Sequence, residues 1–512
     1  MTRATGAVVC AASTAALLGL CAAAAATGAA PSWVALIGAA AMVPWAGAWV
    51  LGDALGPRGA LGWGLGLAAT AGLALAIAPP VLSDDVFRYL WDARVLRAGI
   101  DPYRHPPDAP ALAPLRDALW SRVNHPEIPT IYPPLAQLTF AVADLVAHAP
   151  WSFKALALLA HLGAIPLVAH LARSREARIC SDTPPHRRVG TGGDAHVARA
   201  TLGFALAPLA LIEAASSGHA DALAGLLLAA AVLALVRARP WLAAAFAGLA
   251  SGVKLVGLLV APLVAARHRG AGVLAFVLTA APLFVLAHGG SAETTNGLGH
   301  YTRRWRGNEG AFALVERTLG TSIEALGRAQ GAPRGRIRLH GLAPLLDRTR
   351  GTSLDPRAGL QHTKKQVHDP HEYQAPYIAG LLARGVVVVL VFGLAIALVR
   401  LRVSSLMAAR LVVLVSLLLA PQLHPWYLLW LLPLELAAGG LAGLVLAAAL
   451  PLTYAPLDAW LRTRSWNAPT AGVVTAHALA WTALAFEALQ ARRCAKPQGN
   501  GNDDAAGRTP PG

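Results

Sequence analysis

Apolar residues run along this chain in long blocks instead of the alternating or spaced patterns of a soluble fold. The blocks fall at roughly 5–27, 33–52, 60–82, 153–172, 199–217, 220–236, 241–266, 270–288, 377–399, 404–421, 426–456 and 471–490. Most match the about 17–25 residues that a helix needs to cross a bilayer. Short polar stretches join them, and two long polar segments, 83–131 and 289–375, interrupt the series. For the remaining ends to fall on consistent faces, 241–266 has to break near Lys254 and 426–456 has to turn near Gly439–Gly440. The run "YPPLAQLTFAVADLVAH" (132–148) begins at Pro133–Pro134 and carries Asp144. It is expected to enter and return, or to lie at the interface, instead of crossing. The pattern predicts an all-α polytopic membrane protein with about 12–14 transmembrane helices.

Composition agrees. Of the 512 residues 55% are hydrophobic and 14% charged, where a soluble domain carries roughly 25% charged residues. The net charge of +16 does not point to nucleic acid, because the surplus lies in loops, where it sets orientation. Arg173, Arg175, Arg178, Arg187, Arg188 and Arg199 crowd one loop. Arg237 and Arg239, Arg267 and Arg269, Arg400 and Arg402, and Arg492 and Arg493 mark four more. All five are expected on the cytoplasmic side. The 83–131 loop balances six arginines against seven acids, which suits the outside; 289–375 is long enough to escape the rule.

The expected organisation is a transmembrane module over 1–288 that includes the outer loop 83–131, an outer-face loop region over 289–375, C-terminal helices over 376–491 and a disordered cytoplasmic tail over 492–512. The first block, with Arg3 ahead of it, has the look of a signal peptide, but further spans follow at once, so an uncleaved helix is expected. The four cysteines lie in dissimilar settings and form no disulfide framework.

Several polar groups interrupt the apolar pattern. In "SDDVFRYLWD", Asp84 and Asp85 follow the third block. Carboxylates there either cap a helix or act as a general base toward a hydroxyl, with Asp85, Tyr89 and Asp92 along one side of a helix. "NHPEIPTIYPP" is a rigid irregular segment in which Glu127 and Tyr132 either line a cleft or stay on the surface. "LIEAASSGHADAL" places Glu213, His219 and Asp221 at the ends of two blocks. Ionisable groups at such depth cost about 2.5–3.5 kcal/mol each and mark function or a hydrogen-bonded helix contact. Lys254 stands alone in its block, where it either snorkels or meets an anion. "YTRRWRGNEGAF" surrounds Trp305 with Arg303, Arg304 and Arg306, which suits phosphate or anionic headgroups. "PQLHPWYLLWLLP" sets His424, Trp426 and Tyr427 at a helix boundary, either as an interfacial belt or as part of a site. "HDPHE" (His368, His371, Glu372) matches no zinc spacing and is read as a polar loop. No metal site is expected, and no P-loop or dinucleotide fingerprint lies between a strand and a helix.

Taken in order, "SDDVFRYLWDARVLRAGIDPY", "IYPPLAQ", "EAASSGHADAL", the lysine of "SGVKLVG", "RRWRGNEGAF" and "HPWYLLWLLP" resemble the GT-C class of integral-membrane glycosyltransferases over roughly residues 60–435. Within it the chain is most similar to polyprenol-phosphate-mannose-dependent mannosyltransferases, glycosyltransferase family 87 and the related actinobacterial α-mannosyltransferases. The resemblance implies a GT-C-like bundle in a bacterial inner membrane, with outer-face loops forming the active site. It implies transfer of a hexose, mannose above all, from a polyprenyl phosphate to a hydroxyl of a lipid- or glycan-linked acceptor, with inversion. Carried onto this sequence, it makes Asp85 or Asp84 the base and Arg303, Arg304 and Lys254 the donor-phosphate ligands. Glu213, His219, Asp221, Tyr132, His424 and Tyr427 would line the sugar or acceptor pocket. No cofactor is implied beyond the lipid-linked donor, with a divalent metal left open. The Arg-rich stretch 310–375 departs from the pattern and bears on the acceptor. Two rival readings share these features: a flippase or transporter of lipid-linked sugars, and a ligase moving a larger glycan.

Overall fold

The apolar blocks become helices, and prolines decide where many of them begin. The computed structural model describes residues 1–181, 192–288, 306–339, 372–463 and 467–495, with Gly297, Tyr301 and Ser465 besides. The chain opens with α1 (Arg3–Ala26), α2 (Pro31–Ala40), α3 (Met42–Leu51) and α4 (Gly56–Ile77). Helix α4 stops before Pro79–Pro80, and Ala78 is already extended at ψ 154, because a residue ahead of proline is pushed out of the helical region. Next come α5 (Asp85–Arg97), an irregular segment, and α6 (Pro134–Val146). Helix α6 has 13 residues, about 20 Å at 1.5 Å per residue, which is short of a bilayer core. Its C-terminal end is pinned by ion pairs. Arg97 meets Asp144 at 2.5 Å, and the His148 ring lies between Asp144 (2.5 Å) and Asp117 (3.0 Å).

The central part comprises α7 (Pro150–Ser181), α8 (Gly192–Ala205), α9 (Pro208–Leu211), α10 (Asp221–Val236), α11 (Pro240–Val253), α12 (Ala261–Arg267) and α13 (Arg269–His288). Helix α11 ends where the sequence requires a break: Lys254 is extended (φ −147, ψ 141), and a short 3-10 turn over Leu255–Leu259 leads into α12. Within the polar segment 289–375 lies more order than a loop. Helix α14 (Ala311–Ala329) and an antiparallel pair, β1 (Arg336–Arg338) and β2 (Glu372–Gln374), pack on α15 (Ala375–Arg400) through Ile323, Ile337, Tyr373 and Ile378. Glu372 of the "HDPHE" stretch is held by Arg336 and Arg338; His368 and His371 lie outside the described residues.

The C-terminal part is α16 (Ser405–Leu418), α17 (Leu428–Ala438), α18 (Ala442–Ala449), α19 (Leu457–Thr463) and α20 (Thr470–Ala495). Gly439 ends α17 in the left-handed region at φ 67, as the glycine pair requires. Among the described residues six helical stretches are long and apolar enough to cross a membrane, seven if the α8–α9 pair, bent by 41°, is one span. Five shorter apolar helices accompany them. The protein is a multi-pass, mostly helical membrane protein.

The core gathers around α10, which packs on α7, α11 and α17. Gly225 allows the closest of these approaches, since a Cβ there would run into the Leu429 carbonyl oxygen. Helix α10 has 16 residues, about 24 Å at 1.5 Å each. Asp221 at its start and Arg237 just beyond its end therefore mark opposite ends of the bundle. At the arginine-rich end a fully buried guanidinium ties three helices together. Arg410 of α16 donates to Glu435 of α17 (2.6 and 2.9 Å) and to Glu487 of α20 (2.7 and 2.9 Å). The same carboxylates accept the free amides of the first turn of α18, Gly443 at 2.7 Å and Ala442 at 2.9 Å. Those amides would otherwise lack partners.

Candidate active site

At the other end, the C-terminal ends of α4, α11 and α16 meet the N-terminal ends of α5, α6, α10 and α17. Helix α5 organises the meeting point. Asp85 is its first residue and Asp84 its N-cap, yet the Asp84 side chain caps no backbone amide. Both carboxylates turn instead to Asn124, whose Nδ2 donates to Asp84 Oδ1 and Asp85 Oδ1 at 2.8 Å each. One turn along, Arg88 donates to the Ile128 carbonyl at 2.9 Å. Two turns along, Asp92 accepts from Arg88 (2.9 Å), Thr130 (2.5 Å) and Gln137 (3.0 Å). The i, i+3, i+7 spacing places these groups on one side of α5. Asp92 thus fastens the Val123–Tyr132 segment and stands apart from Asp85. Partial desolvation, although Asp84 stays exposed at the surface, and the neighbouring Asp85 carboxylate raise the Asp84 pKa from its ordinary value, against the Asn124 hydrogen bond.

Around Asp85 the structure collects most of the residues singled out in the sequence. Asp85 Oδ2 lies 3.7 Å from His219 Nδ1, and His219 Nε2 lies 3.4 Å from Glu213 Oε2. Glu213 accepts a 2.6 Å hydrogen bond from Tyr454, 241 positions away in the chain. Asp221 faces Lys254 at 3.3 Å. The Lys254 ammonium stands 5.3 Å from the Tyr132 ring and 5.9 Å from the Tyr427 ring. Trp426 is stacked between His219 and His424 at centroid distances of 4.2 and 4.3 Å. Tyr427 accepts from Gln422 at 2.6 Å and shares a 2.7 Å hydrogen bond with Tyr301. His424 is half-buried close to Lys254, and desolvation and that charge push its pKa down to about 3.

Glu213 reaches this cluster through local distortion. Ile212–Ser216 winds as a π-turn, a form found in single turns and often at functional sites. Gly218, at φ +77, then reverses the chain into α10. Asp221 Oδ1 and the hydroxyl of Ser251 are buried with no hydrogen-bond partner among the described residues. Buried polar atoms are normally paired, so a polyhydroxylated ligand would satisfy groups the protein leaves open. An apolar groove of about 450 Å³ lined by Leu96, Ile100, Tyr103, Pro134 and Leu138 lies toward the C-terminal end of α5. Tyr103, on its wall, donates to the Tyr132 carbonyl at 2.8 Å.

Some residues fall elsewhere. Arg303 and Arg304 lie outside the described residues. Arg306 is engaged by Glu309 at 2.7 Å and by Glu316. Glu127 is exposed beside His125. Among the described residues no group of three or more His, Cys, Asp or Glu is arranged to hold a metal ion. Reasoning from sequence missed Asn124, Tyr454, Gln422 and Tyr301. Each is an ordinary polar residue in a loop or at a helix end, and the sequence marks none of them.

A family model described as "Alpha-(1->6)-mannopyranosyltransferase, N-terminal domain" matches residues 2–269. That stretch contains the acidic pair, Asn124, Tyr132, the Glu213–Asp221 segment and Lys254, and it ends ahead of His424 and Tyr427. No curated protein and no solved structure matches the chain. The matched stretch is more than half of the 512 residues and holds the carboxylates and the lysine that meet at one end of the bundle, so the chain belongs to the α-(1→6)-mannopyranosyltransferase family of membrane glycosyltransferases.

Proposed function

We propose that the protein moves a mannosyl unit from a polyprenyl-phosphate donor to a hydroxyl of a lipid- or glycan-linked acceptor on the outer face of the membrane. The bond formed is α-(1→6), and the anomeric carbon inverts. The observation that carries the reading is the meeting of Asp85, His219, Glu213, Asp221 and Lys254 from three separate segments of a membrane bundle. In the step, Asp85 Oδ2 takes the proton of the acceptor hydroxyl as that oxygen bonds to the anomeric carbon. The bond from that carbon to the phosphate oxygen breaks, and polyprenyl phosphate leaves with the electron pair. Lys254 meets the charge that develops on the leaving phosphate, an interaction stronger in the transition state than before it. Arg303 and Arg304 join it on the sequence reading. Glu213, His219 and Asp221 bond the sugar hydroxyls through their open polar atoms; Tyr132, His424 and Tyr427 wall the pocket.

The test uses purified protein in detergent, labelled polyprenyl-phosphate mannose and a short mannoside. Transfer in this single compartment, with an α-(1→6) product by NMR, is expected. No transfer, together with donor movement across proteoliposomes, would favour the flippase reading instead. In the same assay Lys254→Met should lower kcat, and kcat/KM for the donor with it, about 10–100-fold, the worth of one hydrogen bond to a charged group lost from the transition state. An unchanged KM and kcat would make Lys254 a structural partner of Asp221.

A further inference from the structure

Asn124 takes no part in the step above, yet its side chain joins both members of the acidic pair. Its amide has two hydrogens, and one goes to each carboxylate at 2.8 Å. Both acceptors are carboxylate oxygens, so the amide must point its nitrogen at them. No cap bond from Asp84 to the helix competes for this arrangement. The loop that presents Asn124 is itself held from α5, by Arg88 on the Ile128 carbonyl and by Asp92 on Thr130. Helix α5 therefore starts with Asp85 and, one and two turns later, fixes the segment that brings Asn124 back to it. The turn places His125 in the left-handed region at φ 45, a conformation that persists where surrounding contacts impose it.

We propose that Asn124 is a positioning residue for sugar transfer. It engages Asp85 Oδ1 and so leaves Oδ2, the oxygen on the His219 side, directed at the acceptor hydroxyl. A hydrogen bond from a neutral donor also favours the charged form of a carboxylate over the neutral one. The inference rests on Asp85 as the base.

Asn124→Ala tests it. Asn124 is partly exposed in a loop, so yield and apparent melting temperature should match the unaltered protein. We expect kcat to fall about 10–100-fold, as small misplacements of a reacting group do, while both KM values stay within about threefold. The acid limb of the pH–kcat profile should move to higher pH, because the charged form loses its donor. Asn124→Asp, of nearly the same shape, should move the limb further the same way by adding a third carboxylate. A structural role alone would not move the limb. Unchanged kcat and an unmoved limb in Asn124→Ala would overturn the proposal. If that variant fails to fold, an unmoved limb in Asn124→Asp would overturn it equally. An inactive Asp85→Asn beside an unaffected Asn124→Ala would remove only this inference. An active Asp85→Asn would remove the base and this inference together.

Discussion

Asp85→Asn is expected to yield a folded protein that binds donor normally and transfers sugar about 10²–10⁴-fold more slowly, the usual worth of a general base. Asn keeps the size of Asp and can still accept from Asn124 through its carbonyl oxygen, so the 2.8 Å contact survives. It cannot take a proton from a hydroxyl at neutral pH. The competing account, a helix cap, predicts a loss of only about 1 kcal/mol of stability even on replacement by Ala, with kcat intact. The geometry already weakens that account, since Asp84, which occupies the cap position, bonds Asn124 and no helix amide. The check is kcat with donor and acceptor saturating, beside a donor-binding measurement. Near-normal turnover in Asp85→Asn with an inactive Asp84→Asn would move the base one residue upstream. Near-normal turnover in both would end the general-base mechanism.

Arg410→Leu is expected to cause the largest loss of stability. Arg410 is 1% exposed, and its guanidinium satisfies Glu435, itself fully buried, and Glu487. Removing one partner of a buried ion pair leaves an uncompensated charge and costs about 3–5 kcal/mol, whereas replacing both by apolar side chains is often close to neutral. Here the loss would spread: Glu435 and Glu487 also cap the first turn of α18, so α16, α17, α18 and α20 loosen together. The measurement is thermal unfolding in detergent together with the yield of monodisperse protein. Arg410→Leu should lower both sharply, and Arg410→Leu with Glu435→Leu should recover part of the loss. A single variant as stable as the unaltered protein would show that the three-helix tie is not needed.

Much of this was legible in the order of residues. Hydropathy is a local quantity. A block such as 60–82 or 377–399 must fold into a helix to satisfy its own backbone in lipid, whatever it packs against. Breaks are nearly as local: Lys254 in the middle of an apolar block, and Gly439–Gly440 after α17, both fall where the helices stop. Isolated charges in apolar surroundings are conspicuous for the same reason, which is why Asp85, Glu213, His219, Asp221 and Lys254 could be singled out. Helix α14 was legible in principle through Phe312, Val315, Leu319 and Ile323 at helical spacing, but it sits in a segment whose overall polarity reads as a loop.

Partnership was decided only in three dimensions. Nothing near Glu213 in the chain announces Tyr454, 241 positions on. Nothing near Asp84 announces Asn124 rather than a helix amide as its donor, or Asp221 as the carboxylate facing Lys254. The π-turn that carries Glu213 follows directly on α9, beyond the α8–α9 bend, and periodicity along the sequence carries no trace of it. Arg410 reads in sequence as one more arginine near the basic end. Only the crossing of α16, α17 and α20 sets its guanidinium between two glutamates. The sequence determined which segments leave water and which charges are out of place there, because each of those energies depends on a residue and its near neighbours. Which charge meets which depends on where whole helices pack, and only the tertiary structure decides that.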